Sequence, residues 1–121
     1  MTFASITDGL SNTPFVGEKH VRPNSMEGRA EDRSVYDSGN GNNFRRFMGR
    51  QTNMTPPVDR FLVRDPLQQD DVSNSWFGSR HPGICQFVFG DGSVRPVKTN
   101  TSLEVLTMLG QPNDGGVFQL D

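Results

Sequence analysis

SRHPGICQFVFGDGSVRPV, residues Ser79–Val97, is the stretch whose reading decides the fold. From Ile84 to Phe89 the residues I-C-Q-F-V-F are good strand formers, Gln86 excepted. Asp91-Gly92 then offers a two-residue type I′ turn with both residues at positive φ, leading into a second strand over 93–97. That register sets Phe89 opposite Val94 and Phe87 opposite Pro96. Side chains alternate along a strand, so Cys85, Phe87 and Phe89 share one face and Ile84, Gln86 and Val88 the other. Phe87 and Phe89 are expected on the more buried face. Pro96 has no N–H to donate, which places the second strand at an edge or on a bulge.

The same stretch sets His81 and Asp91 at the two ends of one extended segment. At ~3.3 Å per residue they stand about 30 Å apart, too far to share a metal or a proton. The spacing therefore measures a strand between two corners: His81-Pro82-Gly83, where Pro82 restrains His81 to extended geometry, and Asp91-Gly92. A lone histidine is ordinarily satisfied locally, so the His81 ring is expected to tie down its corner near Trp76 and Arg80.

Downstream, TNTSLEVLTMLGQP reads as a short helix over about 102–109. Thr101 and Glu104 are spaced as a capping box, Leu103, Leu106 and Leu109 recur at helical spacing, and Gly110 and Pro112 end the run. NDGGVFQLD offers a last turn and a final strand. Upstream, the turn signal in TDGLSNT precedes a strand near Phe15–Val21, in which His20 is expected to be exposed. VDRFLVRDP, residues 58–66, alternates and suggests a further strand. Residues 22–57 are polar and loop-rich, and so is LQQDDVSNSW. These elements describe one α+β, mainly antiparallel β domain over 1–121, with a C-terminal hairpin (84–89 and 93–97), one short helix and long polar loops.

Composition bounds the class. With 32% apolar residues in 121 the core must be small, and nine Phe with one Trp make it aromatic rather than absent. A net charge of −2 with no basic stripe gives no electrostatic footing for nucleic acid or an anionic membrane. Cys85 is the sole cysteine, which excludes an internal disulfide and a thiolate metal cluster. No run is apolar enough for a transmembrane helix, and MTFASITDGLSNT lacks the charged-then-apolar pattern of a secretory signal.

ITDGLSNTPFVGEK and SRHPGICQFVFGDGSV together resemble the two hallmark blocks of the bacterial prepilin-type H-X9-DG family, and LEVLTMLGQPNDGGV is similar to its tail. The matching positions are Asp8, Gly9, Ser11, Asn12, Thr13 and Glu18 in the first block and His81, Asp91 and Gly92 in the second. The resemblance implies a pseudopilin-like protein, related to type II secretion components, located in the cell envelope or outside it. Such proteins carry a methylation-type leader and a long apolar helix. Neither precedes the first block here, so the chain is expected to be the C-terminal part of such a protein, with any membrane attachment lying in that missing helix.

Candidate chemistry is sparse. Ser11, Ser79 and Ser93 stand in no nucleophile elbow. Cys85, mid-strand on an apolar face, points to burial rather than reactivity. Asp59, Asp65, Asp70 and Asp71, or the oxygens of Asp37–Asn42, are candidates for calcium, a hard cation that takes several oxygens, and the major pseudopilins that the chain resembles carry calcium in C-terminal loops. Tyr36, Trp76 and Phe77 are candidate stacking platforms for a glycan or small solute. The expectation is therefore a protein with no catalytic residues, no metal and no obligate cofactor, acting as a structural module that meets protein partners or itself. The alternative is a module binding glycan, solute or calcium through its loops.

Overall fold

A computed structural model describes residues 2, 4, 6, 9–37, 39 and 41–111. The expected final turn and strand in 112–121, and Asp8 of the first block, lie outside the described residues. The fold is α+β and mainly antiparallel: β1 (Pro14–Gly17), β2 (Gly49–Gln51), β3 (Val58–Arg60), β4 (Ile84–Phe89), β5 (Val94–Lys98) and helix α1 (Leu103–Gly110), joined by short 3-10 turns. One sheet has the order β1-β4-β5 and the other pairs β2 with β3.

The hairpin forms with a register different from the expected one. Val88 faces Val94, Phe87 faces Arg95, Gln86 faces Pro96 and Cys85 faces Val97. The turn is longer than a type I′ turn. Gly92 N–H donates to Phe89 O at 2.9 Å and Phe89 N–H to Ser93 O at 2.9 Å. Gly92 has φ +84, whereas Asp91 is not at positive φ. This is a three-residue loop, a type I turn closed by a left-handed glycine bulge. The Asp91 carboxylate selects it by accepting from Ser93 N at 2.9 Å and from Ser93 Oγ at 2.6 Å. The extra residue slips the pairing by one position, while the faces of β4 stay as expected because they depend only on alternation.

The core comprises Leu62, Cys85, Phe87, Phe89, Val97, Leu106 and Leu109, with Met48, Phe61, Phe77 and Val105 packed against it. Phe77 meets Phe87 edge-on at 5.0 Å between centroids, and the Arg95 guanidinium lies 3.6 Å from the Phe89 ring centroid. α1 begins as expected but with a different cap. Ser102 Oγ accepts from Val105 N at 3.4 Å, while Thr101 Oγ1 turns back to Lys98 O at 2.5 Å.

Several upstream expectations change. β1 stops at Gly17, and His20, expected on an exposed strand, is buried with Nε2 2.9 Å from Gln68 O. The alternating run at 58–66 yields only β3, followed by a bridge between Val63 and Gly78. The polar segment contains β2, whose Gly49 has φ +82 and sits so close to α1 that a Cβ would lie 2.4 Å from Thr107 Cα.

Candidate functional site

β1 runs antiparallel to β4, with Pro14 opposite Phe89, Val16 opposite Val88 and Gly17 opposite Phe87, and a bulge between Pro14 and Val16. The first block therefore spans the same strand as the second, in the opposite direction. At the Asp91-Gly92 end, Thr13 O accepts from Gly90 N at 2.9 Å, Ser11 O accepts from the Arg95 guanidinium, and Thr13 Oγ1 donates to Gly9 O at 3.1 Å. Gly9, at φ +87, supplies the turn that brings these groups in. Asn12 closes the local turn by donating its N–H to Gly9 O at 3.1 Å.

At the His81 end the joint is Glu18. Its backbone N–H donates to Gln86 O at 3.2 Å, and its Oε2 accepts from Gln86 N at 2.8 Å. Its Oε1 lies 3.3 Å from His81 Nε2. The partner of His81 is thus Glu18 of the other block, not Trp76 or Arg80. Ser79 Oγ accepts from His81 N at 3.0 Å and donates to Ile84 O at 2.5 Å, closing the corner. His81 and Asp91 face separate partners, as strand length requires.

Beside this joint lies a polar cluster that sequence reasoning missed. Glu31 is 1% exposed. Its carboxylate accepts from Arg22 N at 3.1 Å, Nε at 2.8 Å and Nη2 at 3.1 Å. Burial alone would raise the Glu31 carboxyl, but the hydrogen bonds from Arg22, with help from Ser25, outweigh it and hold it at about 2. Lys19 Nζ donates to Glu31 O at 2.8 Å, Asn43 O at 3.2 Å and Arg33 O at 3.4 Å. Burial, and then Arg46 nearby, lowers its pKa. Arg46 Nη2 reaches His20 O at 3.1 Å. Burial also lowers His20, and because a carbonyl oxygen only accepts, its hydrogen bond to Gln68 O puts a proton on Nε2. The spacing of Arg22 and Glu31 matches no helix or strand period, so no periodic signal could have found them. Opposite charges in a loop that must bury its backbone were the only hint.

The aromatic platforms are dispersed. Phe77 packs into the core and borders a groove beside β1, Trp76 stacks edge-on with Phe61 at 6.3 Å beside a separate hollow, and Tyr36 is 93% exposed. The acidic candidates are dispersed too. Asp59 is bidentate to Arg50, at 2.7 and 2.9 Å. Asp71 meets Arg22 at 3.1 Å, Asp65 accepts from Leu67 N at 2.9 Å, and Asp70 accepts from Ser73 N at 2.9 Å. Asp37 binds Gly39 N at 2.9 Å. No group of three or more His, Cys, Asp or Glu that could hold a metal occurs among the described residues. A cavity of about 410 Å3 opens between Met26, Glu27, Asp32, His20 and Arg80. Glu27 adopts φ +68, a conformation unusual for a residue with a side chain.

The fold and joint define a small β-rich domain in which two sequence blocks brace the two ends of one strand. The chain matches, over residues 1–104, the model of a family described as a protein of unknown function (DUF1559), and it belongs to that family, the H-X9-DG prepilin-like group. No curated protein and no solved structure matches it.

Proposed function

We propose that this domain is a non-catalytic structural and interaction module of a pseudopilin-like cell-envelope protein, serving a secretion- or pilus-type assembly. The observation that carries the reading is the outer face of the three-stranded sheet. Val16, Val88 and Val94 lie in one row across its strands, and they are 65%, 37% and 60% exposed. A solvated sheet face is ordinarily polar, and a contiguous apolar patch marks a contact surface. Among the described motif residues, by contrast, His81 pairs with Glu18 and Asp91 holds its own turn through Ser93.

A photo-crosslinking side chain at Val94 in cells that make the protein should capture a protein neighbour, and Val16→Lys with Val88→Lys should abolish the adduct. Capture at Tyr36 but not at Val94 would overturn this reading. So would a hydrolase or transferase activity lost in a folded His81→Ala variant. The cavity beside Glu27 favours a second reading, a module for a glycan or small solute. Chemical-shift changes at Met26, Glu27 and Arg80 on adding sugars or amino acids would support it.

A further inference from the structure

The cavity of about 410 Å3 lies where the loop at 26–32 meets the segment 78–80. Its volume falls in the lower part of the ~300–1,000 Å3 range in which proteins hold small molecules. Four charged side chains line it, the carboxylates of Glu27 and Asp32 and the cations of Lys19 and Arg80. Two of them are committed to the protein. Lys19 Nζ spends its donors on the carbonyls of Glu31, Arg33 and Asn43, and Asp32 Oδ2 accepts from Gly28 N at 3.0 Å. The other two are open. Among the described residues Glu27 and Arg80 form no ion pair, with each other or with another group, and Arg80 Nη2 has only the Met26 sulfur for a polar contact, at 3.6 Å.

The loop holds Glu27 there against its own preference. Glu27 and Gly28 have φ +68 and +78. Two successive residues at positive φ are the pattern that Asn-Gly ordinarily fills, and a glutamate has no local reason to occupy the first position. The turn persists because its flanks are braced. Arg29 N–H donates to Ser25 O at 3.2 Å, Asp32 holds Gly28 N, and Glu31 is the buried carboxylate gripped by Arg22. Backbone strain maintained in this way gathers at ligand clamps.

We propose that the cavity binds a zwitterion, an α-amino acid whose carboxylate pairs with Arg80 and whose ammonium group pairs with Glu27, its side chain lying against Val21 and Met26. The inference rests on reading the cavity as a solute site and adds the class of solute. Carboxylate and guanidinium form strong, charge-assisted hydrogen bonds. A ligand with a single charge would desolvate the opposite wall group without pairing it, and a sugar would do so to both.

The test is an NMR titration of the full 15N-labelled chain at neutral pH with L-leucine, isocaproate, isoamylamine and glucose. Isocaproate keeps the carboxylate of leucine without its ammonium group, and isoamylamine keeps the ammonium group alone. Leucine should shift the amides of Met26, Glu27, Asp32 and Arg80 to saturation, and each singly charged probe should bind roughly tenfold more weakly. Glu27→Gln should weaken leucine to the level of isocaproate and leave isocaproate unaffected. Arg80→Gln should weaken leucine to the level of isoamylamine and leave isoamylamine unaffected. Glu27→Gly should lose leucine with no fall in unfolding temperature, because glycine accepts positive φ. A lower unfolding temperature in that variant would assign Glu27 to the loop and overturn the proposal. Glucose or a singly charged probe binding as tightly as leucine would overturn the zwitterion and leave the solute reading standing. If no probe shifts these residues, both fall.

Discussion

Among the described residues, the buried side chains between Ile84 and Val97 are Cys85, Phe87, Phe89 and Val97, whereas between Lys19 and Arg46 they are His20, Ser25, Glu31 and Asn43. The first region is an ordinary apolar interior, where any shape-compatible hydrocarbon contributes by leaving water. The second buries polar and charged groups, each of which costs several kcal/mol unless it is matched by a named partner. In the hairpin, alternation alone turns Cys85, Phe87 and Phe89 inward, but the face of β5 follows the register: Val97 is buried opposite Cys85, and Val94, expected opposite Phe89, is 60% exposed. The loop depends on individual partners throughout, because Glu31 has to find Arg22 and Lys19 has to find its carbonyls. The described part of this polar loop is thus held by specific partners instead of by area.

The largest effects should come from breaking each region at its centre. Phe87→Ala and Arg22→Ala are each expected to cost about 3–5 kcal/mol in urea unfolding at pH 7, the first by opening a cavity and the second by stranding a buried carboxylate. They should part on acidification. The cost of Arg22→Ala falls as Glu31 becomes protonated and neutral in the variant, and that of Phe87→Ala does not. Equal pH dependence would show that the two regions do not differ as argued.

Acid alone should next expose the polar region. Glu31 has a folded pKa of about 2 against an ordinary value of 4.5. Its contribution is present above the unfolded value and is lost as pH falls from about 4.5 toward 2, by on the order of 2–3 kcal/mol. His20 is also lowered, by burial, from 6.5. The unfolded chain therefore binds its proton first, and stability begins to fall as pH drops below that value. Denaturation midpoints measured from pH 8 to pH 3 check both windows, and Glu31→Gln should flatten the lower one.

Smaller effects sharpen the backbone side of the comparison. Gly49→Ala should cost roughly 2 kcal/mol or more, since it combines a left-handed φ with a methyl group driven into the α1 backbone. Gly92→Val carries the conformational penalty without a clash, because nothing lies within 4 Å of a Cβ there, and should cost roughly 1 kcal/mol or more. If circular-dichroism melts rank the two the other way, the approach of β2 to α1 is looser than described. Cys85 should resist thiol reagents in the folded protein and react on unfolding, because burial, and then the Glu18 carboxylate, pushes its thiol up to about 12.

The smallest effect is expected at His81. His81 and Glu18 form a half-exposed pair, so His81→Ala should change stability by no more than about 1 kcal/mol. A larger loss would mean that the corner depends on this pair instead of on the Ser79 hydrogen bonds.

Sequence by itself determined the α+β class, the hairpin, the buried face carrying Cys85, Phe87 and Phe89, and the helix presenting Leu103, Leu106 and Leu109, of which Leu106 and Leu109 are buried. Each of these rests on alternation, helical spacing or a turn residue acting within a few positions of itself. Both family blocks were legible too, as was the separation of His81 from Asp91, since strand length is a local quantity. The register was one position from the expected one because Asp91 holds a bulged turn through its hydrogen bonds to Ser93, a local choice between two turns that Asp-Gly alone does not make. Only the tertiary structure decided that His81 meets Glu18, that His20 is buried, that Arg22 grips Glu31 and that Gly49 lies against Thr107. Those pairings lie outside any helical or strand period and require an exact partner. No periodicity records which polar group will meet which, and His81 finds Glu18 only once β1 has been laid against β4.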